Sequence, residues 1–277
     1  MLAHSTPTLT PPEEASLNRI KGWLHERSGI FYEDRKKDLL INRLRRVCER
    51  HDCKDLLELE QRLITSGISE IQSAVMHAAT TNHTYFFREP QVLDYFSRNI
   101  LHTLPAGEKL RIWNAAASTG DETYTLGIIM AEKWGVHEVA QHVSILGTDI
   151  SAPVIAQAEA GIYAANHLEQ TPKYLVDRHF EPIGMEQYRV NAAIRNLCLF
   201  RRLNLKINPY PFRRNFHVIF CRNVLYYFDK SHQVSTVQAL YDVTEPGGWL
   251  VTSVTESLRD LNTRWTPVSS GIYRKTA

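Results

Sequence analysis

Two stretches of the sequence place small and acidic residues where an open α/β sheet binds its ligands. The strand-like run LRIW (110–113) leads into NAAASTGDET (114–123), a turn of small residues with Gly120 as its only glycine. A second apolar run, VSILGTDI (143–150), carries Asp149 near its end. An acidic residue at the tip of the second strand can accept hydrogen bonds from both hydroxyls of a ribose. The alternatives are an ordinary strand–helix turn and an aspartate that caps the next helix.

The pattern favours a nucleoside ligand that lacks a diphosphate. A helix that begins after the turn would attract an anionic group to its N-terminus. The turn nevertheless lacks the GxGxxG glycines that bring a pyrophosphate close to the backbone. S-adenosylmethionine fits this combination of a small-residue turn and a carboxylate for the ribose.

Polar and aromatic residues also cluster in two further segments. The apolar run FHVIF (216–220) is followed by CRNVLYYF (221–228), which puts Asn223 and several aromatic residues at the ligand edge of the sheet. The segment TTNHTYFFREP (80–90) is unusually rich in polar and aromatic groups for a linker. The alternative for this segment is structural: a polar residue caps a short helical turn and the phenylalanines fill a domain interface.

The elements that must position these residues divide into a helical part and an α/β part. Residues 1–12 form a Pro/Thr/Ser tail, for which we expect disorder. Apolar residues recur at helical spacing over 13–79 and predict about four helices, and 80–91 is a linker that contributes to the site. Over 92–277 strand-like and helical runs alternate, which predicts an α/β fold with a doubly wound, mostly parallel sheet. Short alternating pieces at about 178–203 predict a small antiparallel β insertion.

The composition is that of an ordinary globular protein. The chain has 277 residues, 32 Lys+Arg against 30 Asp+Glu, and 43% apolar residues, which excludes global disorder. No apolar run approaches the roughly 18 residues of a membrane helix, and no secretory signal is visible. The four cysteines include no CxxC pair and indicate neither a disulfide framework nor a zinc site. We therefore expect a cytoplasmic protein without membrane insertion and without a bound metal.

The chain resembles the bacterial chemotaxis receptor methyltransferases of the CheR type, which are class I S-adenosylmethionine-dependent protein-glutamate O-methyltransferases. The resemblance rests on five segments in the family's order: TTNHTYFFREP (80–90), WNAAASTGDETY (113–124), GTDIS (147–151), RRLNL (201–205) and FCRNVLYYFDK (220–230). It implies a Rossmann-like methyltransferase fold. It also implies transfer of the methyl group of S-adenosylmethionine to glutamate side chains of chemoreceptors (methyl-accepting chemotaxis proteins). The products are γ-glutamyl methyl esters and S-adenosylhomocysteine.

The resemblance further implies the residues of the site. Those implied to bind the cofactor are Asn82, Thr84, Arg88, Glu122, Asp149, Asn204, Leu205, Asn223 and Val224. Arg88 and Tyr227 are implied at the reacting centre, where a guanidinium can hold a carboxylate through two hydrogen bonds. A glutamate with its ordinary pKa of about 4.3 is already ionised at pH 7 and needs no general base. The absence of a Ser/His/Asp or Cys/His set in the sequence agrees with this chemistry.

The chain departs from the family pattern at three places. Asp121-Glu122-Thr123 replaces the common Glu-Glu-Pro but keeps the second acid. Val254–Leu258 replaces a His-Ser-Glu-Asn-Phe-like stretch that shapes the rim of the site, so its effect on activity stays open. The insertion is compact around 181–185, which argues against dependence on a receptor's tether peptide.

Two basic segments suggest an acidic partner. Residues 187–228 hold eight Lys/Arg and no acid, and 35–50 hold seven Lys/Arg against two acids. The structural alternative is a solvated helix face, whereas the functional interpretation is a surface for the Glu-rich signalling helices of receptors. A nucleic-acid methyltransferase would fit the same charge, but no nucleic-acid motif is present. A non-catalytic S-adenosylmethionine sensor would lack Arg88 or Tyr227, and both are present. We expect a monomer.

Overall fold

The chain folds into two compact units. The computed structural model describes residues 9–65, 70–80, 83–105 and 108–276. The units are Met1–Thr81 with Tyr227–Asp229, and Asn82–Tyr226 with Lys230–Ala277. No helix within the described ranges is long and apolar enough to cross a membrane.

The first unit contains the four helices that the apolar spacing predicts. They are α1 (Pro11–Ser28), α2 (Lys37–Arg50), α3 (Leu56–Thr65) and α4 (Glu70–Ala79). Each buries an apolar stripe, for example Leu17, Ile20 and Leu24 on α1. Helix α1 ends at Gly29, whose φ of 76° is in the left-handed region that glycine adopts without strain.

The predicted N-terminal tail is too long at its C-terminal end. Helix α1 already begins at Pro11, because Thr10 forms a capping box with Glu13 and proline is favoured in the first turn. Residues 1–8 of the tail lie outside the described residues, so the expected disorder there stays a prediction.

The second unit is built on a seven-stranded sheet, with a separate three-stranded sheet. The strands are β1 (Leu110–Asn114), β2 (Val143–Asp149), β3 (Ile162–Ala164), β4 (Phe180–Pro182), β5 (Gln187–Val190), β6 (Cys198–Arg202), β7 (Phe216–Phe220), β8 (Thr244–Val251), β9 (Thr266–Ser269) and β10 (Ile272–Arg274). The large sheet has the order β6-β2-β1-β7-β8-β10-β9. Strands β6 to β8 in that order are parallel, and β10 is antiparallel to both of its neighbours. The prediction of a doubly wound, mostly parallel sheet is confirmed.

Seven α-helices accompany these strands within the described part of the unit. They are α5 (Pro90–Tyr95), α6 (Asp121–Trp134), α7 (Val136–His142), α8 (Ala152–Ala160), α9 (Lys173–His179), α10 (Ala192–Arg195) and α11 (Lys230–Asp242). The core between helices and sheet includes the fully buried Ile112, Phe96, Leu126 and Phe220. Strand β1 pairs with β2 on one side and with β7 on the other, so the strand order reverses beside β1. Ligands of such sheets bind at this reversal, beyond the carboxyl ends of the strands.

The small antiparallel insertion lies earlier in the chain than the predicted 178–203. Its sheet has the order β3-β5-β4 and so spans 162–190. Strand β6 instead joins the large sheet, where Cys198 lies opposite Ile145 of the parallel strand β2. As an edge strand, β6 alternates buried and exposed residues. That alternation is also typical of antiparallel strands, so it did not reveal which sheet β6 joins.

Residues 245–248, Glu-Pro-Gly-Gly, form a turn inside the span of β8. Phe216 lies opposite Thr244 and Val218 lies opposite Trp249, so the four residues between the two pairs protrude from the ladder. The glycines of the turn permit this excursion before the strand resumes at Trp249.

Candidate active site

The loop between β1 and α6 needs its one glycine. Gly120 has a φ of 90°, and a Cβ atom there would lie 2.9 Å from the Cβ of Ala158. Ser118 also adopts a positive φ, 48°, while the Ala117 N–H donates to the Thr148 carbonyl at 2.9 Å. The backbone of this loop is therefore folded tightly against the end of β2.

Asp149, at the end of β2, holds both the loop and the next helix. Its Oδ2 accepts from the Ser118 N–H and its Oδ1 from the Ser151 N–H, each at 3.0 Å. Burial raises the pKa of Asp149, and the backbone N–H donors offset part of that effect. Asp149 does not cap α8: the N-cap is Ser151, and Asp149 lies two residues before it and accepts from its N–H. Each carboxylate oxygen has a further lone pair, so these two hydrogen bonds leave room for a ribose hydroxyl.

Glu122 and Glu89 share one buried guanidinium. Arg222, which is 4% exposed, forms ion pairs with Glu122 and, at 3.2 Å from Nη2 to Oε2, with Glu89. Its Nη2 also donates to the Arg88 carbonyl at 3.0 Å. Burial raises the pKa of Glu122, and the charge of Arg222 offsets only part of this effect. For Glu89, the charge of Arg222 and several hydrogen bonds outweigh burial, so its pKa is lowered.

The segment 83–89 has a strained backbone. Phe87 and Glu89 have φ values of 60° and 55°, a region that residues with a Cβ seldom adopt. Arg88 lies between them, and its Nη1 donates to the His83 carbonyl at 2.9 Å. Thr84 is half-buried in the same segment. Asn82, predicted to bind the cofactor, lies outside the described residues.

Phe86 argues against a purely interfacial role for this segment. Its ring is buried in T-shaped contacts with Tyr163 and Phe180, whose ring centroids both lie 4.9 Å away. Both partners belong to the α/β unit, as Phe86 itself does. The segment is therefore anchored within the unit that carries the other candidate site residues.

Asn223, just past β7, is fixed by two glutamates. Its side-chain amide donates to Glu89 Oε1 at 3.3 Å, and its N–H donates to Glu256 Oε2 at 2.6 Å. Glu256 Oε1 also accepts from the Leu225 N–H at 2.9 Å, so this buried carboxylate holds the loop that contains Val224. The stretch 254–258, which departs from the family pattern, thus retains an acid that supports the site.

Asn204 and Leu205 follow the edge strand β6. The Leu203 N–H donates to the Asp149 carbonyl at 2.9 Å, which places Asn204 next to the end of β2. The Asn204 side chain accepts from the Lys206 N–H at 3.1 Å, and Leu205 is buried. These residues therefore join Asp149 on one side of the loop after β1.

Tyr227 belongs to the compact unit of the N-terminal helices. Its carbonyl oxygen accepts from the Phe31 N–H at 2.7 Å, and the Lys36 ammonium lies 5.7 Å from its ring centroid. A common reacting centre for Tyr227 and Arg88 stays a prediction.

Comparison with known proteins gives the family. Residues 15–79 match the family described as "CheR methyltransferase, all-alpha domain" and 82–273 match "CheR methyltransferase, SAM binding domain". The chain belongs to the CheR methyltransferase family. It is therefore an S-adenosylmethionine-dependent methyltransferase.

Three bacterial proteins are similar to this chain over most of its length and most of their own. Chemotaxis protein methyltransferase 1 of Pseudomonas aeruginosa is 32% identical, over 89% of this chain and 92% of that protein. A chemotaxis protein methyltransferase of Borreliella burgdorferi is 30% identical, over 88% of both chains. The Escherichia coli chemotaxis protein methyltransferase is 30% identical, over 94% of this chain and 90% of that protein.

The polar atoms around the β1 loop of this CheR family member fit S-adenosylmethionine. The Ser118 hydroxyl and the Asn114 Oδ1 are buried, and within the described residues neither has a hydrogen-bond partner. A ligand with several donors and acceptors would satisfy both, since buried polar groups are costly when unpaired. Asp149 would supply the acceptor for a ribose, and Glu122 is the second residue of α6, next to the end of the same loop. These are the residues that would hold the cofactor.

Sequence reasoning missed three charged residues of this site. Arg222 was counted only as part of a basic segment, although a charged residue directly after the buried strand β7 is a signal that it has a buried partner. Glu89 and Glu256 gave no such signal, because their partners lie far away in sequence. A histidine, His167, also contacts Asp121 at the start of α6.

Proposed function

We propose that this enzyme transfers the methyl group of S-adenosylmethionine to glutamate side-chain carboxylates of chemoreceptors, giving γ-glutamyl methyl esters. One observation carries the choice of a carboxylate acceptor. Arg88 forms no ion pair among the described residues: its charge acts to lower the pKa of Glu122 without a hydrogen bond between them, whereas the neighbouring Arg222 is bound to two carboxylates. A guanidinium without an ion-pair partner beside a cofactor site is suited to a carboxylate substrate, which it can hold through two parallel hydrogen bonds.

The chemistry needs alignment more than proton transfer. Bound S-adenosylmethionine supplies a methyl group activated by a positive sulfonium. The attacking carboxylate is ionised at neutral pH, and the reaction turns one negative and one positive charge into two neutral groups. The protein must therefore orient the carboxylate and exclude water. Arg88 would orient it, and Tyr227 would hydrogen-bond the same group or pack beside the methyl.

The proposed cofactor contacts are the residues that the family resemblance implies. We propose that Asp149 binds the ribose and that the remaining contacts come from Glu122 at the start of α6 and from three further chain segments, at 82–88, 204–205 and 223–224. These further residues are Asn82, Thr84, Arg88, Glu122, Asn204, Leu205, Asn223 and Val224. The network of Glu89, Arg222 and Glu256 supports this arrangement, since it joins segment 83–89 to the loops after β7 and β8.

The receptor partner is acidic. Arg46 and Arg50 are exposed on α2, on the helix side next to the buried stripe, and can face Glu-rich signalling helices of a cytoplasmic receptor region. We further propose that the enzyme acts as a monomer in the cytoplasm and without a tether peptide. The short connection between β4 and β5, residues 183–186, supports the last point.

The test is methyl transfer to receptor-containing membranes with labelled S-adenosylmethionine, followed by mass spectrometry of the labelled residue. Alkali-labile label on a receptor glutamate is the expected result. Label that nuclease removes would establish a nucleic-acid substrate instead. Cofactor binding without transfer to any receptor would indicate a non-catalytic sensor, and either outcome would overturn the proposal.

A further inference from the structure

His167, which lies outside the recognised motifs, contacts Asp121, where the loop between β1 and α6 (residues 115–120, here called the cofactor loop) meets the helix. It lies in the short helical turn Ala165–Leu168 that follows β3. Its Nδ1 is 2.6 Å from Oδ1 of Asp121, whose side chain is fully buried. An ionised carboxylate only accepts hydrogen bonds, so Nδ1 carries the proton in this pair. The other oxygen of Asp121 accepts from the Thr119 hydroxyl at 2.6 Å, so both carboxylate oxygens are engaged.

Asp121 is the first residue of α6 and directly precedes Glu122. Its carboxylate lies in the first turn of the helix, where the exposed N–H groups favour a negative charge. A change in the Asp121 side chain would therefore shift the start of α6, and Glu122 with it. Glu122 is in turn paired with Arg222. The position of Asp121 thus influences the ion-pair network of the site.

Two hydrogen-bond routes connect segment 83–89 to Asp121. In the first, the Phe86 N–H donates to the His167 carbonyl at 3.1 Å, and the His167 ring donates to the Asp121 carboxylate. In the second, the Phe87 N–H donates to the Thr125 hydroxyl at 3.2 Å, and that hydroxyl donates to the Asp121 carbonyl at 2.8 Å. His167 therefore contacts both Asp121 and the segment that carries Arg88, alongside Tyr163 of β3, whose hydroxyl donates to the Thr119 carbonyl at 2.6 Å.

We propose that His167 is a positioning residue for cofactor binding: its protonated ring fixes Asp121, and through Asp121 the start of α6 and Glu122. The inference deepens the proposed function, because His167 also binds the segment that carries Arg88, through the Phe86 N–H. It rests on S-adenosylmethionine binding, however, and not on the identity of the methyl acceptor.

The proposal makes cofactor affinity depend on pH in a known direction. The hydrogen bond and charge of Asp121 raise the pKa of His167 above its ordinary value, against the effect of partial burial. The ionisable side chains that contact the ring among the described residues are Asp121 of α6 and Tyr163 of β3, with ring centroids 5.5 Å apart for His167 and Tyr163. Burial holds the pKa of Tyr163 well above its ordinary value, so it stays neutral. As pH rises through the raised pKa of His167, the ring loses its charge and its hold on Asp121 weakens.

Binding of S-adenosylhomocysteine, measured by calorimetry between about pH 6 and pH 9, tests this inference. For the wild-type protein we expect Kd to rise by about fivefold to tenfold over this range. His167→Asn keeps an N–H donor near the position of Nδ1 but cannot titrate. The Kd of this variant should therefore lack the pH dependence that the wild type owes to His167. His167→Leu removes the donor and should weaken binding at pH 6 by about tenfold. Titration of S-adenosylhomocysteine itself affects all variants equally. It therefore cancels when the Kd of a variant is divided by that of the wild type at the same pH.

His142→Asn is the matched control, because His142 also faces an acid, Glu138, but on the exposed helix α7 away from the loop. It should follow the wild-type curve. The inference is overturned if His167→Asn and the wild type show the same pH dependence, or if a folded His167→Leu binds as tightly as the wild type. If His167→Leu does not fold, the comparison of the wild type with His167→Asn decides. Normal binding curves with no methyl transfer to receptors would refute the proposed substrate and leave this inference standing.

Discussion

Glu122 of α6 and Arg222, just past β7, form an ion pair in which the guanidinium is almost completely buried. The same guanidinium reaches Glu89, so a single positive charge stabilises two carboxylates from distant parts of the chain. Removing one partner of a buried ion pair leaves an uncompensated charge, and this costs more than the pair contributes. The guanidinium of Arg222 therefore holds segment 83–89, through Glu89, close to the start of α6, through Glu122.

Arg222→Leu should lower the free energy of unfolding by about 3–5 kcal/mol and weaken S-adenosylhomocysteine binding. The reason is that Glu122 and Glu89, both largely buried, would repel each other without the guanidinium between them. Chemical denaturation and calorimetry measure the two effects. Lys173→Leu, which removes the exposed pair with Asp177, is the control and should leave both nearly unchanged. Equal effects of the two substitutions would contradict the buried-pair argument.

Arg88→Lys should retain S-adenosylhomocysteine affinity but reduce methyl transfer by about tenfold or more. Lysine keeps the positive charge but loses the planar fork that holds a carboxylate through two hydrogen bonds. The measurement pairs calorimetry with the methyl-transfer assay. Unchanged turnover would exclude Arg88 as the group that orients the substrate.

Gly120→Ala should lower the free energy of unfolding by about 1–3 kcal/mol and reduce cofactor affinity. Alanine at a φ of 90° is strained, and its Cβ would lie 2.9 Å from that of Ala158. Gly22→Ala is the control: it lies within α1 with nothing within 4 Å of the new Cβ, and there alanine should stabilise the helix. Thermal unfolding of both variants tests whether Gly120→Ala lowers the stability and Gly22→Ala raises it.

Glu60→Gln should change the acid side of the stability curve. Glu60 accepts from Arg19 and from Ser16, and its pKa is lowered because the hydrogen bond from Arg19 outweighs burial. A lowered folded-state pKa contributes stability above the unfolded-state pKa, and this stability is lost as pH falls through the folded value. The variant should therefore be less stable than wild type near pH 7, with the difference shrinking toward pH 3. A constant difference over that range would contradict the linkage.

The fold was predictable where one periodicity dominates. The stripes of α1 and the largely apolar β7 gave the correct elements, because a helix face and a doubly covered strand have distinct patterns. Strand β6 did not, because its alternation is compatible with either sheet, and only its pairing with β2 decides. Local pattern carries no information about which distant strand becomes the neighbour.

The site was predictable at the ends of strands and not where charges meet across the chain. Asp149 could be located from its place at the tip of β2, although its hydrogen bond to the Ser151 N–H and a ribose-binding role are compatible with the same position. The partners of Arg222 lie about a hundred or more residues away, and His167 contacts Asp121 from the β insertion. Such contacts depend on tertiary folding, which spacing along the sequence does not encode.

Glu256→Gln should loosen the loop after β7 and weaken S-adenosylhomocysteine binding by about tenfold. The carboxylate of Glu256 accepts from the N–H groups of Asn223, Leu225 and Ser253, and an amide would present a donor to at least one of them. Two facing donors repel, so the loop that carries Asn223 should move away from its place beside Glu89. Calorimetry measures the affinity, and Glu181→Gln, at an exposed position of β4, is the control, with no expected change. Wild-type affinity in a folded Glu256→Gln variant would show that stretch 254–258 does not support the site.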